Sequence, residues 1–418
     1  MKLMSQASGW KQPFHQARRV LAKFWLGFFP NLTIIGVTGS YGKTNTTRAI
    51  TQVLSEKFPT LQTDLNLDTI YNLPITILKL RPTHKNLVLE MGVDHKNEMD
   101  FHLSLVKPQI GVVTGINPTH SEPELLGSLE GVIKEKSKLL AALPKNGWAV
   151  LNWDDLQVKK MAKVTKAKVV WYGTSPKADF WADEIKVDFS GTSFVINNQR
   201  QKTKVKTGLV GRHFVHACLA AAAIGKILGL NWGEIKNGLA KLKPLKGRLS
   251  IEEGPGGSIL LDDHLRANPA STLAGLQTLV DLPAKGRRIA VLGEMGELGV
   301  LAEKEHRRVG RELAKLKKID YLISIGPLQR LVAQEAIKAG MKKKQVFWAE
   351  NVSGAAEILK GLLKKGDLFY LKGSLLRHLE RILLILKEEK VGCRVVSCHY
   401  YWKCSGCPCL LFGTTGLK

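Results

Sequence analysis

Residues 32–47 carry the residue types that bind the phosphates of a nucleotide. The β-branched run at 33–37 predicts a buried strand, and a helix is predicted from about Asn45. Between them, Gly39 and Gly42 allow a tight turn that directs backbone N–H groups at an anion. The positive end of the following helix points at the same anion, so the stretch predicts a phosphate-binding loop.

Two side chains add specific chemistry to this loop. Lys43 supplies a positive charge for the β- and γ-phosphates, and Thr44 offers a hydroxyl to Mg²⁺. The general pattern has a glycine five residues before Gly42, where this sequence has Val37. The nucleotide ligands predicted here are Gly39, Ser40, Tyr41, Gly42, Lys43, Thr44 and Asn45.

The composition suits a soluble globular protein of two or three domains, with 418 residues of which 44% are hydrophobic. No apolar run reaches the roughly 20 residues that a membrane span needs. The sequence also lacks the pattern of a secretory signal peptide, an apolar core followed by a small-residue cleavage site. A cytoplasmic protein is therefore predicted. The net charge is +26, from 62 Lys and Arg against 36 Asp and Glu. This excess either favours the binding of polyanionic ligands or belongs to a solvated basic surface without a ligand.

The pattern of residues 1–30 predicts a basic amphipathic helix over 9–29, which ends before Pro30. Its apolar positions at helical spacing are Trp10, Phe14, Ala17, Leu21, Phe24 and Phe28. Its basic residues are Lys11, Arg18, Arg19 and Lys23. The aromatic stripe either packs on the nucleotide domain, which is the favoured interpretation, or lies on an anionic membrane face. The second alternative makes the protein peripheral at the inner membrane face.

Strands alternate with helices over 31–247, which predicts a mostly parallel sheet covered on both faces. Ligands of such sheets bind at the carboxyl ends of the strands. Glu90 lies near the end of the strand predicted at 87–91 and is placed to hold Mg²⁺. His120 follows the strand predicted at 110–114. Taken singly, such residues are usually solvated polar side chains.

A second α/β domain is predicted after Arg248, with strands at 258–261, 289–292, 321–325 and 368–371. The fold class is α/β, with a P-loop-type central domain that has a mostly parallel sheet and a Rossmann-like, doubly wound C-terminal domain. The predicted divisions are 1–30 for the N-terminal helix, 31–247 for the central ATP-binding domain, 248–390 for the C-terminal domain and 391–418 for a cysteine-rich tail.

The tail holds five of the six cysteines of the chain. The candidate zinc ligands are Cys398, Cys404, Cys407 and Cys409 with His399. A single Cys-x-x-Cys is only half of a zinc ribbon, so reduced cysteines or a redox-labile tail are the alternatives. No structural disulfide is expected in the cytoplasm. Cys218, in an Ala-rich helix, is predicted to be a small buried hydrophobe.

Taken in order, these motifs resemble the Mur ligase family over roughly residues 32–387. The resemblance rests on residues 38–44, 90–92, His120, 127–130 with 134–136, 151–155, 211–213, 247–249, 262–269, 291–299, His306 and 372–374. Within the family, the run Gly-Glu-Met-Gly-Glu-Leu-Gly at 293–299 is most similar to the members that add D-alanyl-D-alanine to a UDP-muramoyl-tripeptide.

The resemblance implies an ATP-dependent amide-bond ligase of peptidoglycan precursor synthesis that acts through an acyl phosphate. It implies that Thr44 and Glu90 hold one Mg²⁺ and that His120 holds a second metal near the acceptor carboxylate. Among three lysines on one predicted helix, at 134, 136 and 138, it selects Lys136 as the carbamylated metal ligand. Lys43, His120 and Lys136 are thus the expected catalytic residues, and no nucleic-acid partner is expected.

Three further positions match family residues that contact ATP. His216 stands where the family often has Asn near the adenine. Arg248 and Asp263 match positions that reach ATP when the domains close, which would exclude water from the acyl phosphate. The Tyr and Asn that the family has after Asp263 are Leu265 and Arg266 here, so ribose or substrate contacts differ.

Only about 31 residues precede the phosphate loop, too few for the UDP-sugar-binding domain that the family carries there. Other surfaces or a partner protein are therefore expected to hold the nucleotide sugar, or the substrate has no UDP. Two alternatives to this ligase remain. One is a nucleotide-binding subunit that needs a partner at the membrane, as in the family branch that amidates lipid II with an amidotransferase. The other is a folylpolyglutamate synthase-like or cyanophycin synthetase-like ligase.

Overall fold

The computed structural model describes residues 12–64, 69–199, 201–398 and 404–411. Two compact units divide the chain. The first comprises Met1–Lys186, Thr192–Leu209 and His213–Lys243, and the second comprises Val187–Gly191, Val210–Arg212 and Pro244–Lys418. Strands and helices alternate in both, which confirms the predicted α/β fold class.

The first sheet is built around its earliest strand. Its strands are β1 (Thr33–Thr38), β2 (Thr60–Gln62), β3 (Asn86–Glu90), β4 (Ile110–Val113), β5 (Trp148–Asn152), β6 (Lys168–Gly173), β7 (Phe180–Asp188), β8 (Gly191–Asn198) and β9 (Gln201–Thr207). Within the described residues their order is β2-β3-β1-β4-β5-β6-β7-β8-β9. From β2 to β6 the pairs are parallel, and β1 is buried after its first residue, as expected for parallel strands covered on both faces.

Helices lie along this part of the chain. They are α1 (Gln12–Leu26), α2 (Lys43–Leu54), α3 (Thr69–Leu78), α4 (Glu98–Leu103), α5 (Leu129–Ala141), α6 (Leu156–Met161), α7 (Phe214–Ile227) and α8 (Trp232–Ala240). The Ala-rich α7 is buried along most of its length and packs against α2, since small side chains allow close approach. Cys218 on α7 is fully buried, which confirms its prediction as a small hydrophobe.

The position of β1 between β3 and β4 organises the candidate site. Val37 of β1 lies opposite Glu90 of β3, and Thr38 lies opposite Val113 of β4. Because the three strands are parallel and in this register, their carboxyl ends meet at one edge of the sheet. The loops that follow them are therefore brought together.

Antiparallel pairing at the far side of the sheet was not predicted. β8 and β9 pair antiparallel, from Thr192 opposite Thr207 to Asn198 opposite Gln201. Buried and more exposed positions alternate over much of β9, as in strands with one solvated face. Sheet order and register are non-local, so the sequence pattern indicated the parallel part only.

The helix predicted over 9–29 is α1, and Trp10 and Lys11 lie outside the described residues. The favoured interpretation of its aromatic stripe is wrong. Instead of packing on the domain, the large side chains of the stripe are more than half exposed, and they are Phe14, Leu21, Phe24 and Phe28. Ala17, also on the stripe, is exposed as well.

The face of α1 that packs is a neighbouring one. Ala22 is fully buried, and Trp25, Leu26 and Phe29 pack against the cluster that includes residues of β1 and β3. Both faces satisfy helical spacing, so periodicity alone could not choose between them. Among the helices that the structure describes, none is long and apolar enough to cross a lipid bilayer.

The second unit contains its own sheet. Its strands are β10 (Ser250–Glu253), β11 (Ile259–Asp263), β12 (Arg288–Gly293), β13 (Tyr321–Ile325), β14 (Val346–Ala349) and β15 (Leu368–Lys372), in the order β10-β11-β15-β12-β13-β14 over the described ranges. Its helices are α9 (Pro269–Asp281), α10 (Ala302–Lys315), α11 (Gln329–Lys338), α12 (Val352–Leu362) and α13 (Glu380–Leu386). All neighbours pair in parallel except β10 and β11, so the doubly wound pattern gains one antiparallel edge strand.

Candidate active site

The phosphate-binding loop joins β1 to α2 and depends on two glycines with positive φ. Gly42, at the N-cap of α2, has a φ of 78°, and Gly39 has a φ of 148°. A Cβ atom on Gly39 would lie 2.1 Å from Oγ1 of Thr114, so no larger residue fits there. The Ser40 N–H donates to the Gly115 carbonyl at 2.7 Å, which ties the loop to the end of β4. The turn thus presents the positive end of α2 at this edge of the sheet.

The side chains after the loop lie in the first turn of α2. The Lys43 ammonium donates to the Gly39 carbonyl at 2.9 Å, so its charge is held at the loop. Its Cε atom would stand 3.5 Å from a Cβ on Gly92, which places Lys43 beside the turn after β3 as well. Thr44 and Asn45 are half-buried in the same turn. Charge, hydroxyl and loop amides therefore lie together, as a site for a nucleotide with Mg²⁺ requires.

Tyr41 uses its phenol inside the domain. Its hydroxyl donates to Oδ2 of Asp155 at 3.1 Å, and the same oxygen accepts the Ile116 N–H at 2.8 Å. Burial, followed by the charge of Asp155, raises the pKa of Tyr41 well above its usual value, so the hydroxyl stays protonated. The ring fills the space that a side chain at Gly115 would need. Tyr41 thus holds the loop against Asp155 and Gly115.

Glu90 is the last residue of β3 and lies next to the start of the phosphate loop through its pairing with Val37. Its N–H donates to Oγ1 of Thr63 at 3.0 Å, which fixes the strand end. The side chain is half-buried, and its carboxylate makes no hydrogen bond or ion pair to the described part of the chain. Its oxygens are therefore available to a cation, and oxygen ligands are those that Mg²⁺ prefers.

His120 and Lys136 meet at one main-chain oxygen. Nδ1 of His120 and Nζ of Lys136 lie 3.2 and 3.1 Å from the carbonyl oxygen of Val93, in the turn after β3. His120 comes from the loop after β4 and has a φ of 69°, a conformation that histidine adopts more often than most residues. Lys136 comes from α5, whose first turn is capped by the Ser128 hydroxyl. Residues from two separate elements thus converge on the turn that follows Glu90.

The three lysines of α5 have different surroundings. Lys134 is exposed, and Lys138 pairs with Asp100 at 2.5 Å. Lys136 is completely buried and, among the described residues, pairs with no carboxylate. Burial, followed by the positive charge of Lys43, lowers the pKa of Lys136 to about 7. Near neutral pH a large share of this amine is therefore uncharged and nucleophilic.

A group of acidic and imidazole side chains beside His120 was missed in the sequence. Buried Glu98 accepts the N–H groups of Asp94 and His95 at 2.8 and 3.1 Å. Burial, followed by the charge of Asp94, raises the pKa of Glu98 to about 8. Burial raises the pKa of Asp94, but the hydrogen bond from His95 and the charge of His120 outweigh burial and lower this pKa overall. The available signal was the position of Asp94 and His95 just after a strand end, where polar residues gather.

His216 lies in the first turn of α7, and its Nε2 is 2.8 Å from Oδ2 of Asp154. The same oxygen accepts the N–H and hydroxyl of Thr174 at 2.7 and 2.9 Å. Burial raises the pKa of Asp154, but the hydrogen bonds from His216 and Thr174 outweigh burial and lower this pKa to about 2. His216 is thus anchored to the segment after β5, and its contact with adenine stays a prediction.

Arg248 and Asp263 lie in the second unit. Asp263 ends β11, and its Oδ2 accepts the Lys372 ammonium at 2.5 Å and the Tyr370 hydroxyl at 3.1 Å. Arg248 is half-buried, and its positive charge acts on both Asp263 and Lys372. The structure thus gathers two cations around one carboxylate, while contact of Arg248 and Asp263 with ATP stays a prediction.

Among the described residues, no group of metal-sized dimensions contains all four cysteines that were predicted as zinc ligands. Cys404 is buried, whereas the half-buried ones are Cys398, Cys407 and Cys409. His399 lies outside the described residues. The ligand atoms that the fold brings together are instead those of His378, Glu380 and Cys404. Sequence reasoning missed His378 and Glu380 because the tail must fold back onto α13 to reach them.

Known proteins share these two units. The Mur ligase middle domain matches residues 37–225, and the Mur ligase, glutamate ligase domain matches residues 247–375. The UDP-N-acetylmuramoyl-tripeptide–D-alanyl-D-alanine ligase of Escherichia coli K12 is 36% identical over 70% of this chain, which spans 64% of that relative's length. The ligase of the same name in Bacillus subtilis 168 is 30% identical over 86% of this chain and 77% of its own.

A solved structure agrees with the sequence relatives. The crystal structure of MurF from Acinetobacter baumannii matches with a TM-score of 0.80 and 27% identity, covering 90% of this chain and 81% of that chain. Both domain matches occur in the order that the motifs indicated, and the elements around the phosphate loop carry the residues quoted for the resemblance. This chain therefore belongs to the Mur ligase family.

Proposed function

We propose that this chain is an ATP-dependent, ADP-forming ligase of the MurF type, which joins D-alanyl-D-alanine to a UDP-N-acetylmuramoyl-tripeptide in peptidoglycan precursor synthesis. The relatives in Escherichia coli and Bacillus subtilis are named for this reaction. The observation that carries the proposal is the convergence of His120 and buried Lys136 on the Val93 carbonyl, near Lys43 of the phosphate loop. A module that only binds nucleotide has no use for this pair.

The loop amides and Lys43 bind the β- and γ-phosphates of ATP in this proposal. Thr44 and Glu90 are the residues that would hold Mg²⁺, because a free hydroxyl and carboxylate oxygens suit this ion. The bound ion supplies charge neutralisation for the phosphates. His120, with a modified Lys136, would hold a second ion on the side of the acceptor carboxylate. Little covalent help from the protein is needed, since phosphoryl transfer depends mainly on positioning and charge.

Amide formation then takes two balanced steps. The carboxylate of the tripeptide attacks the γ-phosphorus of ATP, which forms an acyl phosphate as the bond to ADP breaks. The amine of D-alanyl-D-alanine attacks the acyl carbon, forms the amide bond and releases phosphate and a proton. Negative charge grows on the phosphoryl oxygens in the first step, and Lys43 with the loop amides stabilises it.

Lys136 is proposed to act as a carbamate. Its neutral amine adds to CO₂, a new N–C bond forms and the nitrogen loses a proton, so the side chain becomes an anion. The charge of Lys43 favours this anion in the same place where it disfavours the ammonium. Protein prepared in ¹³C-bicarbonate should show a carbamate carbon by NMR, and Lys136→Met should lack it. A signal that persists in Lys136→Met would place the carbamate elsewhere.

The resemblance supports three further ATP contacts, by His216 near the adenine and by Arg248 and Asp263 of the second unit. His216→Ala should weaken ATP binding about tenfold, as expected when one base contact is lost. Equilibrium binding of a fluorescent ATP analogue measures this effect. Unchanged affinity would remove His216 from the site and leave it as the partner of Asp154.

We further propose that the exposed face of α1 contacts an anionic membrane surface on the cytoplasmic side. The exposed apolar residues of this segment are Phe14, Val20, Leu21, Phe24 and Phe28, and the helix also carries Arg18 and Lys23. Aromatic and basic side chains together suit the surface of anionic lipid.

Vesicle sedimentation tests this contact. The chain should sediment with phosphatidylglycerol vesicles and not with pure phosphatidylcholine, and Phe24→Ser/Phe28→Ser should lose the binding. Leu156→Ser, which removes an exposed apolar residue elsewhere, is the matched control. Binding that survives the double substitution, or is equal for both lipids, contradicts the membrane contact.

Phosphate release tests the ligase itself. Purified protein with ATP and Mg²⁺ should release phosphate only when both UDP-N-acetylmuramoyl-tripeptide and D-alanyl-D-alanine are present. Lys136→Ala should abolish this release, and Lys134→Ala should retain it. If ATP binds but neither substrate stimulates release, the stand-alone ligase is contradicted, and a partner chain or a lipid-linked substrate becomes the next candidate.

A further inference from the structure

Three potential metal ligands from separate parts of the second unit meet near α13. His378 precedes the helix, Glu380 is its first residue, and Cys404 comes from the cysteine-rich tail. The ligand atoms of the three side chains all lie within 4.8 Å of one another. His378 and Cys404 are buried, and Glu380 is half-buried. Such separations are of the size that one bound ion imposes on its ligands.

The polar groups of this cluster are incompletely satisfied. Nδ1 of His378 lies 2.9 Å from Oε1 of Glu380, and the Cys404 N–H donates to the same oxygen at 3.3 Å. The other ring nitrogen of His378, Nε2, is buried and has no hydrogen-bond partner in the described residues. A buried polar atom without a partner is uncommon and calls for a ligand or a rearrangement.

The tail is held in place by contacts that do not involve these ligands. Buried Arg381 donates to the carbonyls of Cys393 and Val395 at 3.2 and 2.7 Å. The N–H groups of Gly392 and Cys393 both donate to the Leu410 carbonyl, at 2.8 and 3.1 Å. These bonds tie residues 392–395 to α13 and to Leu410. Main-chain contacts of the tail therefore place Cys404 beside His378 and Glu380.

We propose that His378, Glu380 and Cys404 form a zinc site that fastens the cysteine-rich tail to the second unit. A thiolate, an imidazole and a carboxylate are together the donor set that suits Zn²⁺ rather than Mg²⁺ or Ca²⁺. The fourth tetrahedral position is left to water or to a ligand outside this group. Zinc binding releases the thiol proton of Cys404, so the affinity increases with pH until the thiol is ionised.

The site adjoins the end of β11. Burial raises the pKa of Glu380, but the hydrogen bond and charge of His378, followed by the charge of His264, lower it overall. Nδ1 of His264 in turn contacts Oδ1 of Asp262 at 2.5 Å. Asp263 follows directly in the chain. The zinc site does not depend on the proposed ligase activity, because none of its ligands belongs to the phosphate loop or to the pair His120 and Lys136.

Metal content measured on the full chain tests the site. Protein purified with reductant and loaded with Zn²⁺ should hold one zinc per chain by mass spectrometry of the metal, and Cys404→Ser and His378→Gln should lose it. Cys393→Ser, which alters another buried cysteine of the same tail, and Cys407→Ser/Cys409→Ser should keep it. A wild-type chain without zinc overturns the proposal. Loss of zinc in Cys407→Ser/Cys409→Ser to the same extent also overturns it and favours the four-cysteine set.

A second measurement guards against variants that fail to fold. Wild-type protein loaded with Co²⁺ should show tetrahedral bands and the sulfur-to-cobalt charge-transfer intensity of a single thiolate. An intensity matching several thiolates, or none, contradicts the ligand set. A chelator should also lower the Tm of the wild type and leave that of Cys404→Ser unchanged. None of these readouts uses phosphate release, so failure of the ligase and failure of the zinc site are distinguishable.

Discussion

Lys136 of the first unit and Lys372 of the second are both almost completely buried, but they have different partners. Lys372 donates to the Asp263 carboxylate at 2.5 Å. Lys136 donates to the main-chain carbonyl of Val93 at 3.1 Å and, within the described residues, pairs with no carboxylate. Burial lowers the pKa of both amines, and only at Lys372 does a bonded carboxylate oppose it.

The difference shows that the partner, and not burial, decides what a buried lysine can do. A paired ammonium holds two strands together and is costly to remove, because the carboxylate is left behind. A buried lysine without such a partner is destabilised in its charged form and becomes a neutral amine. Only the second kind can react with CO₂ near neutral pH. Four predictions test this contrast, beginning with the largest effect.

Lys372→Met should lower the free energy of unfolding by about 3 kcal/mol, because buried Asp263 loses its bonded ammonium and keeps the Tyr370 hydroxyl and the charge of Arg248. Urea unfolding followed by circular dichroism measures this loss. The double variant Lys372→Met/Asp263→Leu should recover much of it, since no uncompensated charge remains. A single variant as stable as the wild type would show that the pair is not a structural one.

Lys136→Met should lower kcat for phosphate release by at least ~100-fold, because loss of the proposed metal ligand would remove both charge and positioning. Its free energy of unfolding should not fall, because an apolar side chain replaces a buried amine that has no carboxylate partner. The pairing of lost activity with retained stability is the expected result. A variant that keeps its activity, or that unfolds as readily as Lys372→Met, contradicts the contrast between the two lysines.

The pH dependence of stability should also separate Lys136 from an ordinary lysine. Its pKa is about 7 in the folded protein and ~10.4 in the unfolded chain, so the unfolded state binds more protons between these values. The wild type should therefore gain stability relative to Lys136→Met as pH rises from 7 to 9. Urea unfolding in CO₂-free buffer at both pH values measures this gain, and parallel curves for the two proteins would contradict it.

Lys134→Met should have the smallest effect. This lysine is exposed on the same helix, so its removal should leave kcat within about twofold of the wild type and carbamate formation intact. Steady-state phosphate release and the ¹³C signal measure both properties. A large loss at Lys134 would mean that charge on α5 in general matters, and not burial of one lysine.

Much of the fold could be predicted because it follows from local patterns. The β-branched runs predicted β1, β4 and β13 to within a residue or so, and the motifs in their order predicted the family, which the domain matches confirm. The family resemblance selected Lys136 over Lys134 and Lys138, and of the three Lys136 is the one that is completely buried. The prediction of which face of α1 packs on the domain was wrong, because two faces of that helix share the same spacing.

The sequence by itself determined the phosphate loop, the strands that flank it and the family, because glycine conformations, β-branched runs and motif order are local properties. Only the tertiary structure decided which groups meet. It placed His120 and Lys136 on one carbonyl, set Asp94 and Glu98 beside them, and brought Cys404 to His378. These contacts depend on sheet order, on strand register and on where the chain folds back, none of which is a local property. The pKa values depend in turn on the burial and the neighbouring charges that the fold creates.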